Sequence, residues 1–179
     1  KQPAMLFEQN FASVAEVKTV LQNTVDLLKT ANPKVQIVFT ISPIRHLKHG
    51  SAGNQLSKST LIVAAQELAA SAENVHYFPS YELLLDDLRD YRFYEEDLIH
   101  PNKQAIDYIW EKFSAAFFTP KTVALNAQIS GIQNMLNHRV FVTNTATAKS
   151  FLATLQKAIS ACEINFASEL EAWKKTNGF

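Results

Sequence analysis

The run Val35-Gln36-Ile37-Val38-Phe39-Thr40-Ile41 constrains the fold of this 179-residue chain more than any other stretch. It is β-branched or apolar at nearly every position. A strand that is apolar on both faces belongs inside a parallel sheet covered by helices on both sides. Ser42-Pro43 ends it, because proline has no N–H with which to extend a ladder. Val75-His76-Tyr77-Phe78 is a second, shorter strand, stopped by Pro79. Helical periodicity surrounds both. After an irregular start from Lys1 to Asn10, Phe11, Val14, Val17, Leu21, Val25 and Leu28 recur every three or four positions, up to Asn32-Pro33. Leu56, Leu61, Ile62, Ala65 and Leu68 mark a second helix to about Ser71, after a loop over Ser42 to Asn54 that holds Gly50 and Gly53. Alternating helices and strands predict an α/β fold with an open parallel sheet. Two strands leave apolar edges unpaired. Further strands are therefore expected, either before Lys1 or from another chain.

Downstream, Ser80 is placed to cap a short helical stretch from Tyr81 to Leu88. An acid-rich loop follows. Pro101 fits the first position of the next helix, with His100 as its cap. Ile106, Ile109, Trp110, Phe113 and Phe117 form one apolar face, and the helix stops near Pro120. Beyond it, Leu125, Ile129, Ile132 and Leu136 make one stripe. After a break over Asn137 to Thr145, a longer stripe runs from Phe151 or Leu152 through Leu155, Ile159, Cys162, Phe166, Leu170 and Trp173. Val140-Phe141-Val142 is too short to count as a strand. The pattern predicts a helical hairpin. The expected organisation is an α/β core over 1–120 and a helical extension over 121–179 packed on it.

Charge and composition narrow the function. Lys+Arg and Asp+Glu both number 17, so nucleic acid and anionic membranes are poor matches as main partners. No apolar run reaches the ~20 residues of a membrane span. A lone cysteine, Cys162, excludes an internal disulfide and fits a reducing, cytoplasmic setting. No signal peptide is visible, although the chain starts at Lys1 rather than Met. There is no G-x-G-x-x-G and no P-loop.

The chemistry centres on Asp97-x-x-His100-Pro101. An Asp three residues before a His can hold the imidazole in one tautomer and orientation, ready to take a proton from a hydroxyl. The alternative is a surface Asp beside a His that merely caps a helix.

Three stretches here resemble the GSCFA family: Phe78-Pro79-Ser80-Tyr81-Glu82, Leu88-Arg89-Asp90-Tyr91-Arg92-Phe93-Tyr94 and Asp97-Leu98-Ile99-His100-Pro101. Ser42-Pro43-Ile44-Arg45-His46 and Asn54-x-x-Ser57-Lys58 do so as well. The resemblance covers roughly residues 33 to 118, with the final helices similar to a C-terminal extension. It implies a branch of the SGNH (GDSL-like) hydrolases: a flavodoxin-like three-layer parallel sheet, N-terminally incomplete here, and serine-dependent ester or acyl chemistry. The D-x-x-H roles of that superfamily fall on Asp97 and His100. It also implies a nucleophilic serine in a Gly-Ser-Cys-Phe-Ala motif. That motif is absent from these residues and is expected upstream.

Two serines compete for the nucleophile's place. His49-Gly50-Ser51-Ala52-Gly53 nearly matches G-x-S-x-G, but no strand directly precedes it, and a flexible loop is expected instead. Ser42 sits at a strand end, but Pro43 removes the following N–H that an oxyanion site would use. Arg45 and His46 leave the C-terminal end of the same strand, where ligands of open α/β sheets bind. With Ser42 and Asn54 they are the candidate substrate contacts. Their structural alternatives are a surface loop, with Arg45 paired to an acid, and helix caps at Asn54 and Ser57. Glu82, Asp86, Asp87, Asp90, Glu95 and Glu96 match no metal loop and alternate with Arg89 and Arg92, so an ion-paired face is expected rather than a metal site. The aromatics from Tyr77 to Tyr94 are expected to pack rather than line a sugar site.

The leading expectation is a serine hydrolase or acyl transferase acting on a small-molecule or carbohydrate ester. His100 is its base and Asp97 orients it, with no metal or cofactor. The alternative is a non-catalytic binding module on the same fold. An oligomer is compatible with either.

Overall fold

The computed structural model describes Leu6 and residues 10–140 and 145–179. The expectations for Lys1 to Asn10 and for Val140-Phe141-Val142 fall mostly outside them. The chain is mixed α/β and mostly helical. It divides into two compact units, Lys1–Phe113 and Ser114–Phe179.

In the first unit, α1 (Val14–Ala31) starts on a capping box. The Ser13 hydroxyl accepts from the Glu16 N–H, and the Glu16 carboxylate accepts from the Ser13 N–H. β1 (Ile37–Thr40) pairs in parallel with β2 (Val75–Phe78), Ile37 opposite Val75 and Thr40 opposite Phe78. α2 (Gly50–Ser71) is the crossover between them. Val25 of α1, Leu68 of α2 and Val75 of β2 form one buried cluster, with Leu21, Ile37 and Phe39 packed against it. Among the described residues the sheet has the two strands that the sequence predicts. Two expectations change here. β1 is half-buried rather than enclosed, with Thr40 exposed. α2 also begins at Gly50, so 50–54 is helical rather than loop. Gly50 takes φ +65°, which suits the abrupt entry. A Cβ at Gly53 would come within 2.5 Å of the His49 Cβ, so glycine is required there.

After β2 the chain turns at Pro79 into a short α3 (Ser80–Glu82), which widens into a π-helical turn over Leu83–Leu88. The Arg89 N–H closes that turn on the Leu84 carbonyl, with Arg89 at φ 49°. Leu84, Leu88, Phe93, Tyr94 and Ala105 form the second cluster, joining this turn to α4 (Lys103–Phe117).

Ser80 is buried and does not cap the helix as expected. Its hydroxyl donates to the Ile41 carbonyl at 2.8 Å, and the Thr40 hydroxyl lies at 2.6 Å. Ser80 has one proton, so Thr40 donates to it. This links the end of β1 to the start of α3. Ser80→Ala would leave the carbonyl of buried Ile41 unpaired and is expected to cost about 1–3 kcal/mol. A lowered denaturant midpoint at unchanged slope reads this out; an unchanged midpoint would remove Ser80 from the account.

The second unit holds α5 (Pro120–Asn137), α6 (Ala146–Ser160) and α7 (Ala167–Asn177). The expected hairpin is three helices, because its longer stripe is broken between Ser160 and Ala167. The Asn165 side chain accepts from the Ala167 N–H and starts the third helix. The stripe still works as one surface: Leu155, Phe166 and Trp173 are buried together with Ile132 of α5. Among the described residues no helix is long and apolar enough to cross a membrane.

Candidate active site

The segment 93–102 is a closed loop. Tyr94 and Pro101 form an antiparallel bridge, the Glu95 N–H donates to the His100 carbonyl at 2.8 Å, and the Asn102 N–H donates to the Phe93 carbonyl at 2.9 Å. Within it the Leu98 N–H donates to the Glu95 carbonyl, and Leu98 adopts φ 56°. A left-handed leucine costs about 1–2 kcal/mol, so its surroundings must hold it. Asp97 is one of those supports. Its Oδ1 accepts from the backbone N–H groups of Ile99 at 2.8 Å and His100 at 3.0 Å.

The other oxygen of Asp97, Oδ2, lies 2.6 Å from His100 Nδ1. Against a carboxylate, Nδ1 must be the donor, so in the neutral ring Nε2 carries the lone pair. No described residue hydrogen-bonds Nε2. The two side chains are 43% and 55% exposed, open to an incoming molecule. The His100 N–H, the His100 ring and the Ile99 N–H, in that order, hold the Asp97 carboxyl at about 2, below its ordinary 3.8. A depressed carboxyl stabilises the turn above its ordinary titration range. That stabilisation fades as the pH falls from about 4 to about 2. Carbon-detected NMR titration should place the Asp97 midpoint near 2; a midpoint near 4 would mean the three hydrogen bonds are not made in solution.

His100 does not cap α4. Asn102 does: its Oδ1 accepts from the Ala105 N–H at 3.1 Å, and its Nδ2 donates to the Arg92 carbonyl. Asn three residues before Ala105 is a stronger cap signal than His100-Pro101, and it was legible in the sequence.

Arg45 brings the end of β1 to this loop. Its N–H donates to the Ile99 carbonyl at 3.3 Å, and its Nη1 donates to the Leu98 carbonyl at 3.2 Å. Its guanidinium lies over the Tyr94 ring at 4.4 Å and the Tyr91 ring at 5.4 Å. Arg45 pairs with no carboxylate among the described residues, so the ion pair offered as the alternative to a substrate contact is not made. Asn54 is inside α2 and is not its cap, as is Ser57. The Asn54 Oδ1 accepts from the His46 N–H at 2.8 Å, fastening the 42–49 loop to the helix. The Ser42 hydroxyl accepts from the Ile44 N–H at 3.2 Å, a local turn, and the Ser42 carbonyl accepts from Lys58 Nζ at 2.6 Å. Ser51 lies in the first turn of α2, in neither a flexible loop nor a strand-to-helix elbow. Among the described residues no serine hydroxyl hydrogen-bonds His100.

A model of the GSCFA family matches residues 1–113 of the 179. The chain belongs to the GSCFA family. The match begins earlier than the motif-bearing stretch from residue 33 and so takes in α1, and it ends where the first compact unit ends. Every candidate site residue of this GSCFA chain lies inside it. No curated protein and no solved structure gives a match.

The acidic segment is ion-paired or hydrogen-bonded in large part. Asp86 pairs with Arg89 at 2.5 Å, Asp90 with Arg92 at 3.9 Å, and Asp87 accepts from the Tyr108 hydroxyl. Among the described residues no group of three or more His, Cys, Asp or Glu could hold a metal ion. The aromatics divide between two roles. Phe78, Tyr81, Phe93 and Tyr94 are buried in packing, whereas Tyr91 is 64% exposed.

Proposed function

We propose that this GSCFA chain is the C-terminal part of an SGNH-type serine hydrolase core. In this reading His100 is the general base, Asp97 orients it, and a serine upstream of these residues is the nucleophile. The observation that carries the proposal is the 2.6 Å contact between Asp97 Oδ2 and His100 Nδ1, on a half-exposed ring whose Nε2 is hydrogen-bonded by no described residue. The serine hydroxyl gives its proton to Nε2 as Oγ attacks the acyl carbon of an ester. The tetrahedral intermediate collapses, Nε2–H protonates the departing alkoxide, and an acyl-enzyme forms. Water, deprotonated by Nε2, then releases the acid. No metal or cofactor takes part.

The same reading gives the fold as a three-layer, flavodoxin-like α/β/α sandwich completed by strands outside these residues. A two-stranded sheet with half-buried apolar residues supports it. The test is labelling of the full-length protein with a fluorophosphonate. One label per chain, lost in His100→Ala, supports the hydrolase; a folded full-length protein that takes no label is the non-catalytic binding module. The 179-residue chain alone should take none, and stoichiometric labelling of Ser42 or Ser51 would move the nucleophile into it.

A further inference from the structure

Between the loop after β1 and the start of α3 lies a cleft of about 360 Å³, walled by Arg45, His46, Asn54, Gln55, Tyr81 and Tyr91. That volume is within the range of small-molecule sites. Its wall is braced: the Tyr81 hydroxyl donates to Gln55 Oε1 at 2.7 Å, and Asn54 holds the His46 backbone. Among the described residues no Asp or Glu lines it. Arg45 stands at it instead, with Lys58 outside its lining but close to one of its walls. Arg45 forms part of the wall, and Lys58 Nζ lies 5.7 Å from the centre of the Tyr81 ring. Neither pairs with a carboxylate among the described residues. Arg45 is held by a carbonyl and two rings, and Lys58 by the Ser42 carbonyl. Glu82, whose charge reaches Tyr81, is occupied by the Tyr77 hydroxyl at 2.8 and 3.0 Å and does not line the cleft. In a chain with as many acids as bases, two half-buried cations paired to no carboxylate among the described residues form a local positive field. The guanidinium uses one N–H on Leu98 and has others for an oxyanion.

We propose that this cleft binds the anionic end of the substrate, a carboxylate carried on a sugar-sized ring, with Arg45 as its counter-charge, the neighbouring Lys58 charge strengthening the field, and the exposed face of Tyr91 against the ring. The inference rests on reading the end of β1 as the substrate side, but its test is binding and needs no turnover.

D-glucuronate and D-glucose are titrated separately into the isotopically labelled chain at low salt, following the Asn54 and Gln55 side-chain amides and the Ser51 N–H by NMR. Glucuronate is expected to give saturable shifts and glucose none at the same concentration. Losing one charge-assisted hydrogen bond should weaken binding roughly tenfold or more. Arg45→Gln should do so, with spectra retained outside the 93–102 loop, where it also loses the Leu98 contact; Lys58→Gln removes a neighbouring charge rather than a contact and should weaken binding less. Lys58→Arg keeps the charge and should keep most of the binding, which separates lost charge from lost fold. Equal shifts from both sugars, no saturable shift from either, or glucuronate binding that survives both glutamine variants would overturn the proposal. A full-length protein that takes no fluorophosphonate label while glucuronate still binds would instead sink the dyad and leave the cleft standing.

Discussion

Replacing His100 with alanine in the full-length protein is expected to lower ester turnover by about 10³-fold or more, the scale of losing a triad base. The effect should fall on kcat, because the ring acts on the proton that moves in the transition state rather than on substrate binding. The fold should survive. The side chain is 55% exposed, and the loop is held by the backbone of residue 100, which accepts from Glu95 and donates to Asp97. Alanine keeps both bonds. Asp97→Asn tests the other half of the dyad. An amide oxygen at Oδ1 can still accept from Ile99 and His100, but an N–H₂ then faces His100 Nδ1 where a carboxylate stood. The ring is pushed towards the tautomer with its proton on Nε2, which cannot act as the base. Turnover should fall in a protein that stays folded, and the denaturation midpoint should lose the part of its pH dependence that the ionised carboxylate supplies. Near-wild-type turnover in a folded His100→Ala protein would end the assignment.

Asp97 and His100 were legible because their contact is local. Three residues apart, the carboxylate and imidazole can meet whatever the rest of the chain does. The turn that presents them was less legible, since it depends on Leu98 at a positive φ, a conformation that leucine itself disfavours. Beside Asp97, support for that turn comes from Arg45, far away in sequence, which read as a substrate contact or as a surface charge paired to an acid. The helices around the site followed from periodicity, but their starts did not. Gly50 and Gly53 read as loop residues, yet one serves the entry to α2 and the other a close approach inside it. Ser80 read as a cap because its neighbours in sequence suit one. Its hydroxyl is instead taken by Ile41 and Thr40 across the β1–β2 connection, a contact that only the parallel pairing creates. The longer C-terminal stripe kept its apolar period through a break in the helix. Side chains can continue to face one core while the backbone between them changes direction.

That core sets the other large effect. Deleting residues 146–179 is expected to leave the remaining chain aggregation-prone. Ile132 on α5 is 2% exposed, and its buried partners Leu155, Phe166 and Trp173 all lie in the deleted part. Ile129, Met135 and Leu136 flank it and lose the same cover. Each large apolar side chain taken out of water is worth about 1.5–3 kcal/mol, so the loss is comparable with the whole stability of a small domain, about 5–15 kcal/mol. Polar ties go with it. Trp173 Nε1–H donates to the His138 carbonyl at 3.0 Å, and Asn177 Oδ1 accepts from the Val140 N–H at 2.8 Å, so the end of α5 loses two of its partners. α5 would keep a bare apolar stripe, the kind of surface that drives association. Leu155→Ala is the graded version: a side chain with no exposed surface should cost about 2–5 kcal/mol when truncated. Size-exclusion chromatography and denaturant titration read both variants. A truncated protein that stays monomeric and as stable as the parent would mean that α6 and α7 do not cover α5 in solution, and the buried cluster would have to be abandoned.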